Sequence, residues 1–74
     1  MDKNEFLKAV AEILMTDANS LTEETELNSF KEFDSIGYLE ITMLLEVKLG
    51  IEIVPSEIRA LKTVKDLLKL GKFV

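Results

Sequence analysis

Apolar residues recur at helical spacing in three stretches of the chain, separated by one long irregular segment and one short one. From about Lys3 to Met15, Phe6, Leu7, Val10, Ile13 and Leu14 fall on one side, while Lys3, Lys8 and Glu12 take other faces. That spacing predicts a helix with one buried face. Asp2, followed three residues later by Glu5, has the spacing of a capping box at its start. Thr16 to Phe33 then shows no period, yet Leu21, Leu27, Phe30 and Phe33 punctuate it. A loop of this length belongs in a small domain only where it is functional or pinned. These four residues are expected to pin it.

The period returns from Ser35 to Leu49, with Asp34 as N-cap and Gly50 as the glycine that stops the helix. Tyr38, Ile41, Leu45 and Leu49 form one apolar stripe; Ile36, Met43 and Val47, interleaved with Glu40, form a second. So small a chain cannot bury both sides of one helix. The second stripe is therefore expected to stay partly exposed, as a partner surface does. Ile51 to Val54 reads as an extended linker, since Pro55 biases Val54 away from helix. Pro55 to Leu61 suits a short helix with proline in its first turn. Thr63 and Asp66 repeat the capping box ahead of Val64, Leu67, Leu68 and Leu70, with Gly71 closing the last helix. The pattern predicts an all-α fold, a small four-helix bundle with three longer helices, one short third helix and a long first loop. One domain, residues 1–74, is expected.

Composition narrows what such a bundle can do. The chain has 74 residues, 9 Lys and Arg, 14 Asp and Glu, and a net charge of −5, with no His, Cys or Trp. Serine–histidine or cysteine catalysis, a disulfide framework and a zinc site of imidazole or sulfur are all excluded. The acidic balance argues against nucleic acid as a partner. The longest uncharged apolar run, Ile41 to Leu45, is far too short to span a bilayer, and the charged first residues are unlike a signal peptide. No metal site is expected, because Glu23, Glu24 and Glu26 lack calcium-loop spacing. A cytoplasmic monomer is the expectation. Residues 1–33, 34–53 and 54–74 carry −5, −3 and +3, so the basic tail offsets a strongly acidic body.

Candidate chemistry concentrates at Phe33-Asp34-Ser35-Ile36-Gly37-Tyr38-Leu39-Glu40-Ile41. Ser35 stands in the first turn of a helix, where free N–H groups and the positive dipole end favour an attached phosphate. Taken alone, a serine after aspartate is an ordinary helix start. Its surroundings say more. Asp34-Ser35-Ile36 resembles the Asp-Ser-Leu motif of the acyl carrier protein family, whose serine carries 4′-phosphopantetheine. Leu21-Thr22-Glu23-Glu24-Thr25, Glu40-Ile41, Leu45-Glu46, Leu49-Gly50, Ile51-Glu52-Ile53 and Thr63-Val64-Lys65-Asp66-Leu67 are similar to further family segments, in the family's order. The resemblance covers essentially the whole chain.

It implies a non-catalytic carrier with the arm on Ser35, flanked by Asp34, Ile36 and Gly37. A phosphopantetheinyl transferase would install the arm. Acyl-loading, synthase or acyltransferase enzymes with basic patches would dock on Glu40, Met43, Glu46 and Val47. Tyr38, Ile41, Leu45 and Leu49 are assigned to the core and to the lining of any space that shelters an acyl chain. Three departures from the family pattern stand out. Lys31-Glu32-Phe33 replaces the usual apolar-glycine approach, so Phe30 is expected to anchor a differently routed loop. Gly37 is expected to leave room beside the arm, and resembles D-alanyl carriers at this place. Val47, Lys48 and Arg59 stand where housekeeping members tend to be acidic, which suggests a carrier with dedicated enzymes in a lipid, polyketide or related pathway. An unmodified four-helix adaptor is the alternative from another class.

Overall fold

Asp2 opens the first helix, accepting the Glu5 N–H at 2.8 Å while the Glu5 carboxylate accepts the Asp2 N–H at 3.1 Å. This computed structural model, which describes residues 1–74, is built of helices α1 (Lys3–Ile13), α2 (Ser35–Met43), α3 (Pro55–Arg59) and α4 (Val64–Leu70). The third is the shortest, as its pattern predicts. The same reciprocal cap opens α4, where Asp66 N–H donates to Thr63 Oγ1 at 3.3 Å and the Asp66 carboxylate accepts Thr63 N–H at 3.1 Å. At α3 only half of such a device exists, because Val54 has no side-chain acceptor and just its N–H reaches Glu57 Oε1.

The helix ends differ from the pattern in three ways. α1 stops at Ile13 rather than Met15: Met15 turns left-handed (φ 56°), and Thr16 N–H returns to the Ala11 carbonyl at 2.9 Å. α2 changes to a wider π turn over Leu44–Lys48 before Gly50 (φ 66°) ends it. The turn adds a residue to each loop of backbone and rotates the side chains beyond it; Leu49, just past it, is half-buried. At α4 the left-handed residue is Lys72 (φ 64°), not Gly71 (φ −79°). Phe73 N–H then closes on the Leu68 carbonyl at 2.8 Å, and the Phe73 ring packs 4.9 Å from Phe6.

Of the four residues expected to pin the long loop, Leu21, Leu27 and Phe33 are buried and Phe30 packs half-buried against the same core. Two short 3₁₀ turns, Ala18–Ser20 and Leu27–Ser29, give the loop local order. Its backbone is also tied to the last helix: Leu27 N–H reaches the Lys62 carbonyl at 2.9 Å and Val64 N–H the Thr25 carbonyl at 3.0 Å. Fifteen apolar residues from every helix and this loop make one core, and no polar side chain is buried in it. Phe6, Leu14, Leu27, Ile41, Leu45, Ile58, Leu67 and Leu68 are fully buried. Burial of each contributes about 1.5–3 kcal/mol against chain entropy. Of the stripe assigned to the core, Ile41 and Leu45 are at its centre, whereas Tyr38 and Leu49 lie half-buried at its edge.

Candidate functional site

The start of α2 is held from both sides. Phe33, at 6% exposure, inserts into the core just before the helix and meets the Tyr38 ring edge-on at 4.9 Å. Phe33, not the half-buried Phe30, is thus the anchor of this loop. Asp34 is extended, and its Oδ1 accepts the N–H groups of Ile36 at 3.0 Å and Gly37 at 3.2 Å. Its own carbonyl accepts Tyr38 N–H at 2.8 Å. Asp34 therefore uses donors that an anion at this helix end would otherwise find free. The dipole still favours a negative group there, but those two hydrogen bonds are spoken for.

Ser35 is the first residue of α2, exposed, with its hydroxyl outside the capping bonds. Gly37, two residues on, is buried against the incoming loop. A Cβ built on it would collide with the Glu32 carbonyl oxygen and stand 3.1 Å from its carbon. The direction a side chain at Gly37 would take is filled by the Glu32 backbone. Gly37 permits the loop and the helix to touch, and that is its reason for being glycine.

Three hollows surround this end of α2. The first, of about 400 Å³, opens beside Ser35 between α2 and α3, with Tyr38, Leu39, Thr42, Ile53, Pro55, Ile58 and Arg59 as its walls. Among the residues assigned to an acyl-chain lining, only Tyr38 reaches it; Ile41, Leu45 and Leu49 face elsewhere. Spacing along α2 does not point to Leu39, Thr42 and Arg59 as a wall, because it takes α3 crossing α2 to bring them together. A second hollow, of about 290 Å³, is lined by the acidic residues Glu12, Glu32, Asp34 and Glu40 with Ile36 and Gly37. The third, of about 500 Å³ between α1 and α2, is lined by Glu40, Met43 and Val47 together with Glu12, Ile13 and Lys48. Glu46 is exposed but lies off this groove. Ile36, Leu39, Met43 and Val47 expose 67%, 61%, 54% and 71% of their surface, so the second stripe is open as expected.

One carboxyl with a displaced pKa, Asp66, lies away from this end of α2. The N–H groups of Thr63 and Lys62 hold the Asp66 carboxyl below the usual carboxylate range. No cluster of acids is arranged to hold a metal ion, and no helix is long and apolar enough to cross a membrane.

A family model described as a phosphopantetheine attachment site matches residues 4–70. The acyl carrier protein of Helicobacter hepaticus is 41% identical over 69 residues, which cover 92% of this chain and 91% of that one. The acyl carrier proteins of Rickettsia massiliae and Rickettsia prowazekii are each 31% identical over 70 residues, 95% of this chain and 81% of theirs. No solved structure matches. The residues present fit the prosthetic group: an exposed hydroxyl free of capping duty stands at the mouth of a largely apolar groove. When bound, 4′-phosphopantetheine supplies the terminal thiol that this cysteine-free chain lacks. With the match running over nearly its whole length, the chain belongs to the acyl carrier protein family, whose members are non-enzymatic carriers bearing a 4′-phosphopantetheine arm.

Proposed function

We propose that residues 1–74 form a single monomeric carrier domain that bears its arm on the Ser35 hydroxyl. It presents acyl groups, held as thioesters, to enzymes of a lipid, polyketide or related specialised pathway. The supporting observation is the position of Ser35, exposed at the first residue of α2 and opening onto the groove between α2 and α3. In this reading Phe33 and Asp34 fix where the helix starts, and so where the hydroxyl points. Tyr38, Leu39 and Ile58 offer the arm an apolar wall. Partner enzymes approach the groove between α1 and α2, where Glu40 and Glu12 border the exposed Met43 and Val47. Long-range attraction between basic patches and this acidic face speeds encounter, and apolar contact holds the complex. The cationic Lys48 on the same groove and Arg59 on α3 support dedicated partners over a general set.

Intact mass after incubation with coenzyme A and a promiscuous phosphopantetheinyl transferase tests the proposal. Wild type is expected to gain one phosphopantetheine and Ser35→Ala none. An unmodified wild type returns the chain to the adaptor reading.

A further inference from the structure

On the reading that Ser35 carries the arm, we propose that Arg59 binds the phosphodiester at its root and holds the resting arm along the groove between α2 and α3. Arg59 and Ser35 line the same hollow of about 400 Å³ between α2 and α3. Arg59 is the only cation lining it.

The phosphate needs such a partner. The N–H groups of Ile36 and Gly37, which would otherwise face an anion at the helix start, already donate to Asp34. On the neighbouring side, Glu12, Glu32, Asp34 and Glu40 crowd the other hollow with like charge. That asymmetry leaves the α3 side as the favourable direction for an anion tethered to Ser35. Arg59 is also uncommitted: the one ion pair in the molecule joins Lys3 to Glu23, and the nearest acid along α3, Glu57, accepts the Val54 N–H. Guanidinium suits the task because its planar fork donates two parallel N–H bonds to phosphate oxygens. The contact is partly exposed, so its strength is modest and salt-sensitive. A modest contact is what a carrier requires, since a partner enzyme must lift the arm away.

Arg59 is the only arginine in the chain, and its side-chain Nε–H therefore gives a single assignable NMR signal. The experiment compares nitrogen-15-labelled apo and holo protein, with intact mass proving that the arm is present and absent in Ser35→Ala. In low salt the Arg59 Nε–H signal is expected to shift in the holo form and to exchange with water about two- to fivefold more slowly. Both differences should vanish at about 1 M salt. The phosphorus-31 resonance should move in holo Arg59→Gln and move less in holo Arg59→Lys. A mass gain with identical Arg59 signals and exchange in the two forms overturns the phosphate contact and leaves the Ser35 reading intact. No mass gain overturns the Ser35 reading, and this contact with it.

Discussion

The α-carbon of Gly37 faces the carbonyl oxygen of Glu32 so closely that any side chain there meets backbone. Two opposing effects decide what Gly37→Ala does. Alanine gains about 1 kcal/mol of helix propensity. Forcing a methyl into a packed contact costs about 1–3 kcal/mol, toward the upper end where the obstructing atom cannot rotate away. The expected result is a net loss of about 1–2 kcal/mol in urea unfolding. A stabilised Gly37→Ala would show that the loop gives way freely.

Two helices end on a side chain where glycine would serve better. Met15 and Lys72 both hold positive φ, and both are exposed, so packing explains neither. A left-handed conformation costs an ordinary residue about 1–2 kcal/mol, part of which glycine returns through its freer unfolded chain. Met15→Gly and Lys72→Gly are each expected to stabilise the fold by about 0.5–1 kcal/mol. Gly50→Ala is the control of opposite sign. Its φ is 66° with nothing within 4 Å, so a loss of about 1 kcal/mol there reports backbone strain alone. Urea midpoints of the three variants check the set.

Local rules made much of this legible from the sequence. Asp2 with Glu5, Asp34, and Thr63 with Asp66 act within four residues of themselves, and their caps form as their spacing predicts. The exposed stripe of Ile36, Met43 and Val47 follows equally from helical period. The features hidden from that reading depend on segments far apart in the chain. Gly37 resembles a spacer until Glu32 is packed on it, and Phe30 rivals Phe33 as an anchor until the loop path is known. The groove beside Ser35 needs α3 laid across α2 before Leu39, Thr42 and Arg59 share it. The π turn at Leu44–Lys48 has no spacing signature, yet the half-buried Leu49 lies just beyond it.

Acid should weaken the link between the last helix and the chain before it. The N–H groups of Thr63 and Lys62 stabilise ionised Asp66, so its folded pKa lies below the unfolded value. A depressed carboxyl contributes stability that is fully present above the unfolded pKa and is lost as pH falls through the folded one. Asp66→Asn is therefore expected to be less stable than wild type near neutrality, and the gap should close progressively below about pH 4. Paired urea titrations from about pH 6 to about pH 2.5 measure it. A gap that stayed constant across that range would mean the ionised carboxylate contributes no more than its neutral amide.

Docking should separate from stability on the outer face of α2. Met43 and Val47 are 54% and 71% exposed, so Met43→Ala and Val47→Ala should shift the unfolding free energy by no more than about 0.5 kcal/mol. Leu45→Ala, in the turn beyond Met43 but fully buried, should lose about 2–5 kcal/mol. For the transferase that installs the arm, the expected order is reversed. Met43→Ala and Val47→Ala raise KM by loss of apolar contact, and the rise persists in salt. Glu40→Gln raises KM in low salt, and the difference fades as ions screen the acidic face. Glu46→Gln, off the groove that joins Glu40 to Val47, should do less than Glu40→Gln. Equal effects of Glu40→Gln and Glu46→Gln at every salt concentration would place the encounter outside that groove, on net charge alone.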